Sequence, residues 1–317
     1  GEPAAGAPNC DSVTPEPIAA VVDEPPEASV ICVSMSSAPD HAWWRSSATP
    51  CARSAGCGSL SDASAAASVS NLGPGYDILG GCLLEPRDVV QAELTQSGQV
   101  ELVEVIGDNG LLPRSASENC AGVVAHAVLS RFGDPSMGLK LRLFKGLPLG
   151  SGLGSSAASG VAAALATASL LDEEIPKPDL LDACREGERL ATGSPHPDNV
   201  APSLLGGFVA CIPRVGEAIE VVSLKIPDTL FFVCVKPDFS VSTQMARDRV
   251  PTAVPMAHCV ENMGNLAGLV SALGSGDMSL LGRCLEDRLA TPYRAPLIDG
   301  FQEVTDAARK VGAIGSG

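Results

Sequence analysis

Residues 147–159 read LPLGSGLGSSAAS and run straight into GVAAALATASLL. Gly150, Gly152 and Gly154 alternate with other residues, Ser155 and Ser156 follow, and an alanine-rich stretch begins at once. Glycine allows positive φ and close approach of the backbone to a ligand. Alanine is the strongest helix former. A flexible loop set directly before so good a helix aims unpaired amides and the positive end of the helix dipole at whatever the loop encloses, which suits an anion and above all a phosphate. Of the two serines, one can cap the helix and one can meet a phosphate oxygen or Mg2+. A plain strand-to-helix turn would need neither the third glycine nor the doubled serine. The loop is not a Walker loop, because no lysine follows its glycines, and not the dinucleotide fingerprint, which needs glycine where Ser155 stands.

Working outward, 139–144 (LKLRLF) alternates cleanly and predicts a half-buried strand ahead of the loop. Residues 88–94 and 100–106 predict strands, and 118–132, 155–171 and 177–192 predict helices. Further on, 204–212 (LLGGFVACI) and 230–235 (LFFVCV) read as strands, and 256–273, 277–290 and 297–311 as helices. Strands and helices without regular β-α-β alternation predict an α+β fold, in two lobes dividing near residue 215. Residues 1–66 are rich in Pro, Ala, Ser and Glu and read as a disordered or non-native leader. Within it, the acid-poor piece from Met35 has the composition of an organelle transit peptide and equally that of mis-joined sequence. The first residue is not Met, which reads as a fragment, and the final GAIGSG stops where a strand is expected.

The bulk numbers narrow the partners. The 317 residues are 45% hydrophobic but only 3% aromatic, so the core must be aliphatic. A net charge of −16 argues against nucleic acid or an anionic membrane as the main partner. Backbone amides can still bind phosphate, since they do not enter a charge count. Eleven cysteines lack any C-x-x-C pair and read as reduced thiols, and four separated histidines suggest no zinc site. No apolar run reaches the roughly 18 residues of a membrane span.

Two other polar turns accompany the loop. Residues 65–79 read AAASVSNLGPGYDIL, and 188–203 read ERLATGSPHPDNVAPS. In these turns and the loop together, the chain resembles the GHMP kinases, and within them the homoserine kinases of plant type: LPLGSGLGSSAAS is similar to the ATP-binding signature, NLGPGYD to the family's NLGPGFD, PHPDNVAP to its HxDNVAP, and TPYRAPLIDGF at 291–301 to the segment around its substrate-binding arginine. The resemblance covers roughly 66–317. It implies the two-lobed GHMP kinase fold, with an ATP-binding lobe of S5 domain 2-like type at 67–215 and a ferredoxin-like lobe, incomplete, at 216–317.

The resemblance also implies site residues. ATP phosphates would lie on the loop, Pro148, Leu149, Gly150, Ser151, Gly152, Leu153, Gly154, Ser155 and Ser156. Mg2+ would be held by Ser156 and Glu188, a hydroxyl and a carboxylate suited to a hard cation. Taken alone, Glu188 in the charged run REGER reads as a solvated helix residue. L-Homoserine would be bound by Asn71, Asp77, Thr243, Arg247 and Arg294, the arginines matching a carboxylate with their planar forks. Arg249 is the alternative register to Arg247. Asn199 would lie near the reacting hydroxyl, with Asp198 and His196 shaping the loop. The expected class is a phosphotransferase of the plastid stroma or cytoplasm, possible as a homodimer; another small-molecule kinase of the GHMP group and a catalytically inactive nucleotide-binding sensor of the same fold are the competing readings. The sequence departs from the family pattern at both ends. Residues 51–70 do not read as its first strand, and the chain stops at or before the third glycine motif, S-G-x-G-P-T.

Overall fold

The computed structural model describes residues 28–34, 59–214, 218–239 and 241–317. Most of the predicted leader lies outside these residues. The exceptions are a strand β1 (Ala28–Ser34) and the start of β2 (Leu60–Ser70). The strands continue with β3 (Leu79–Thr95), β4 (Val100–Ile106), β5 (Gly138–Phe144), β6 (Phe208–Ile212), β7 (Glu220–Leu224) and β8 (Phe231–Pro237). The helices are α1 (Cys120–Phe132), α2 (Ser155–Ala168), α3 (Leu181–Thr192), α4 (Val200–Leu205), α5 (Thr243–Asp248), α6 (Met256–Ser275), α7 (Met278–Arg283), α8 (Thr291–Arg294) and α9 (Phe301–Lys310).

The main sheet runs β4-β5-β3-β6-β7, with β2 also paired to β3. The 17-residue β3 is its spine. Its first residues, Leu79–Gly81, pair β6, and Val89–Thr95 pair β5. β2 lies antiparallel along it, from Leu60 opposite Glu93 to Ser70 opposite Gly80. β4 and β5 are parallel, and a separate antiparallel pair joins β1 to β8. Among the described residues, only helical elements follow β8.

Three expectations are corrected by the structure. Residues 60–70, read as unlike a strand, form β2: Ser and Ala have low strand propensity, yet Ala65–Ser68 is buried on both faces, where only small side chains fit. Residues 204–212, read as one strand, split into the end of α4, a Gly206–Gly207 turn with both glycines at positive φ, and β6. The predicted helix over 277–290 is likewise short, ending at Arg283.

The larger core lies where α1, α2 and α3 cover the sheet, built from Val90, Leu139, Leu141, Leu143, Val124 and Val161 with the alanines of α2. A second cluster takes residues from both sides of position 215. Leu79, Leu83, Leu147 and Leu153 pack there with Ile226, Leu230, Leu269, Leu273 and Leu281. This second core sets the glycine loop against the C-terminal helices. Cys82, Cys120, Cys184, Cys211, Cys259 and Cys284 are free thiols, and Cys184, Cys211 and Cys284 are buried. No helix among the described residues is long and apolar enough to cross a membrane.

Candidate active site

The loop between β5 and α2 has the left-handed backbone that its glycines permit. Gly150, Gly152 and Gly154 have φ of 64°, 74° and 66°. Gly154 is also closely packed: a Cβ there would lie 2.2 Å from Ser68 Oγ and 3.1 Å from Asn199 Oδ1. The first intrahelical bond of α2 runs from Ala158 N to Gly154 O, leaving the amides of Ser155, Ser156 and Ala157 without helical acceptors. Neither serine caps the helix, because both hydroxyls are engaged elsewhere. The N-cap is Gly154 itself, in the left-handed region with no side-chain cap.

Ser155 belongs to a buried cluster behind the loop. Lys145 Nζ donates to Ser155 Oγ at 2.7 Å, to Ser159 Oγ at 2.9 Å and to Asp88. Asp88 Oδ1 accepts the amides of Gly146 and Leu147, and Ser159 Oγ donates to Asp88 Oδ2. Both ends of the loop are thus clamped to one carboxylate. Burial pulls the Lys145 pKa down, and the Asp88 charge opposes that shift. Sequence reading passed over this lysine because it precedes the glycines.

Ser156 faces the other way. Its Oγ donates to Glu188 Oε2 at 3.0 Å. Glu188, on α3, is buried, and its pKa is pushed up to about 7, first by desolvation, with the Ser156 bond working against it. Asp198 is also buried, and its pKa is raised to about 6 by burial and by Asp77. Its Oδ2 has no hydrogen-bond partner among the described residues.

Asn199 stitches the region together. Its Oδ1 accepts from Ser68 Oγ and its Nδ2 donates to Ser70 Oγ, each at 3.0 Å, so the end of β2 lies against the loop and the start of α4. Ser68 N also bonds Leu153 O. The 71–77 turn continues from that strand end. Asn71 and Asp77 both hold positive φ, 57° and 55°, and Asn71 Oδ1 accepts Asp77 N at 3.0 Å. A Cβ on Gly73 would meet Leu285 O at 2.7 Å, so the turn seats directly on the C-terminal half of the chain.

Asp77 is bound by Arg247 through both guanidinium nitrogens, at 3.0 and 3.2 Å, and His196 Nδ1 lies 3.5 Å from Asp77 Oδ2. Arg247 Nη1 also donates to Tyr76 Oη at 3.3 Å. The guanidinium carbons of Arg247 and Arg294 lie 6.0 and 5.8 Å from the centre of the Tyr76 ring, at cation–π range. Arg247, not Arg249, faces Asp77, and Arg249 is exposed at the end of α5. Thr243 opens that helix and is exposed, one turn before Arg247. Arg294 sits on α8, whose start is held by buried Asp287 accepting the amides of Leu289, Ala290 and Thr291. Buried Asn262 of α6 donates to Pro74 O at 2.9 Å and accepts Arg288 N at 3.0 Å, joining the 71–77 turn to the segment leading to Arg294. Tyr76, Asn262 and Asp287 were not singled out from the sequence. A tyrosine where the resembling family has phenylalanine was the one visible signal.

The site has two ends. One offers free amides, Ser156 and Glu188. The other offers one carboxylate and two guanidiniums. A profile of the GHMP kinases N terminal domain matches residues 119–207. The homoserine kinase of Chlorobium phaeobacteroides strain BS1 is 39% identical over 260 residues, covering 79% of this chain and 81% of its own. That of Methanococcus maripaludis strain S2 is 40% identical, covering 76% and 78%, and that of Arabidopsis thaliana 42% identical, covering 79% and 69%. The crystal structure of a homoserine kinase from Cytophaga hutchinsonii superposes with a TM-score of 0.74 at 37% identity, covering 81% of this chain and 80% of that one. A mevalonate kinase from L. major, at 14% identity and a TM-score of 0.59, shares the fold.

Proposed function

The chain belongs to the homoserine kinase family, and from that membership we propose that it transfers the γ-phosphoryl group of ATP to the side-chain hydroxyl of L-homoserine, giving O-phospho-L-homoserine. The observation that carries this reading is the two-ended site itself, a helix start with unpaired amides joined through Asn199 to a carboxylate and two arginines. Phosphoryl transfer asks for charge neutralisation and in-line positioning more than covalent help. The unpaired amides of Ser155–Ala157 and the dipole of α2 supply fixed positive potential for the phosphates.

The donor set fits Mg2+. Ser156 Oγ and Glu188 Oε2 are hard oxygens already 3.0 Å apart, and a buried carboxylate with its pKa near 7 is the group that a cation would return to its charged form. Two protein ligands with phosphates and water completing the shell is the usual arrangement for this ion. When bound, Mg2+ would neutralise the β- and γ-phosphate oxygens. Lys145 does not take that part, since Asp88 and two serines occupy its ammonium.

At the other end, Asp77 would take the substrate ammonium, and Arg247 and Arg294 its carboxylate. Asn199, held between Ser68 and Ser70, would orient the hydroxyl for attack on the γ-phosphorus. Asn199 is an amide and takes no proton, and with Asp198 shaping the loop the proton passes to the transferred phosphoryl group. ADP release with Mg·ATP, compared among L-homoserine, L-serine, mevalonate and galactose, tests the reading. Release with L-homoserine alone supports it, and equal or greater release with another acceptor overturns it.

A further inference from the structure

The group expected to bind the substrate ammonium is already occupied. Asp77 and Arg247 grip each other bidentately, and both are only about a quarter exposed, at 26% and 21%. We propose that this pair is an internal stand-in for the two charges of the amino-acid substrate, so that a ligand opens it productively only by carrying an ammonium and a carboxylate together. The inference rests on the homoserine reading and concerns how the site selects.

A ligand with an ammonium alone can take Asp77 only by leaving Arg247 unpaired in a half-buried place. A ligand with a carboxylate alone strands Asp77 in the same way. An unpaired charge at such a site costs far more than the pair contributed. A zwitterion exchanges one ion pair for two and strands nothing. The surroundings keep both partners in place during that exchange. Asp77 is fixed by the bond from its amide to Asn71 and has His196 beside it. Arg247 retains the Tyr76 hydroxyl and ring. The same ring holds Arg294, so the released guanidinium stays near a second one, and together they form a clamp for one carboxylate.

The test removes one charge of the substrate at a time. 3-Aminopropan-1-ol is L-homoserine without its carboxylate, 4-hydroxybutanoate lacks the ammonium, and propan-1-ol lacks both. We measure kcat/KM by ADP release, or Ki against L-homoserine where turnover is too slow. Both singly charged compounds should fall with propan-1-ol, nearly all of the gain being confined to L-homoserine. If either singly charged compound recovers half or more of that gain on a logarithmic scale, the inference is overturned. Arg247→Gln supplies a second, opposite-signed reading. It should lower kcat/KM for L-homoserine by about a hundredfold through loss of a charged partner, yet raise it for 3-aminopropan-1-ol by about tenfold, because Asp77 is no longer held in the closed pair. A fall for both compounds overturns the proposal, since a merely structural arginine would give that result. Absence of ADP release with L-homoserine in the unaltered protein defeats the functional reading and this inference with it. Release with additive losses among the analogues defeats the inference alone.

Discussion

A carboxylate as enclosed as Glu188 keeps its proton until about pH 7, and that makes the candidate cation site titratable. Its pKa is raised from the ordinary 4.5, so the proton is held more tightly in the folded chain than in the unfolded one. The stabilisation this gives is full below the unfolded value and is lost as pH rises through about 7. Ligand-free protein should therefore lose stability across that window, while Mg·ADP, which needs the charged form, binds more tightly. Thermal unfolding with and without Mg·ADP between pH 5.5 and 8 on the buffer scale, roughly one unit or more either side of the titration, should show the ligand's shift growing with pH. In Glu188→Gln the growth should vanish, and kcat/KM should fall by about two to three orders of magnitude, the usual loss on removing a group that acts on transition-state charge. An unchanged pH dependence in that variant would remove Glu188 from the site. The sequence half-conceals this residue: Arg185, Glu186 and Arg189 around it form surface ion pairs, while the helical period turns Glu188 inward toward Ser156.

At the scale of elements, the strand β5, the glycine loop and α2 act as one piece because Lys145 and Asp88 clamp them from behind. Replacing one member of a buried ion pair leaves an uncompensated charge, so Lys145→Met should cost about 3–5 kcal/mol. Adding Asp88→Leu removes that charge but orphans the amides of Gly146 and Leu147, each worth about 1–3 kcal/mol. The double variant should accordingly be more stable than the sum of the two single losses predicts. Urea unfolding of the three variants measures this, and strict additivity would mean that the pair is not coupled. The loop and α2 were legible because glycine and alanine declare their uses outright. β2 was not, since a strand built from serine and alanine shows no apolar alternation to find. The first half of β3 was hidden by Gly80, Gly81 and Pro86, which normally punctuate strands. α4 was hidden because six residues give too little of a helical period before Gly206 and Gly207.

For the whole molecule, the amino-acid end of the site is assembled from segments far apart in the chain. Asp77 meets Arg247 across a sequence separation of 170, and Asn262 meets Pro74 across 188. No local pattern reveals such pairings, which is why individual residues were legible and their mutual arrangement was not. Asn262→Leu should leave Pro74 O and Arg288 N unpaired and let the 71–77 turn shift relative to Arg294. We expect KM for L-homoserine to rise about tenfold, the equivalent of one lost buried hydrogen bond, with KM for ATP within about twofold of the original. Equal rises in both constants would mark Asn262 as a support for the whole fold, with no particular bearing on the amino-acid end.

The long spine strand carries a consequence for synthesis on the ribosome. Residues 89–95 of β3 can pair with β5 soon after that strand emerges, but Leu79–Gly81 wait for Phe208–Ala210. Throughout translation of α2, α3 and the Asn199 turn, the stem of the 71–77 segment has β2 on one side and an open edge on the other. Open strand edges of this kind invite pairing with other chains. Slow elongation between residues 150 and 205 would lengthen that exposure, so the passage that encodes the glycine loop is also the one whose pace of decoding bears most on yield.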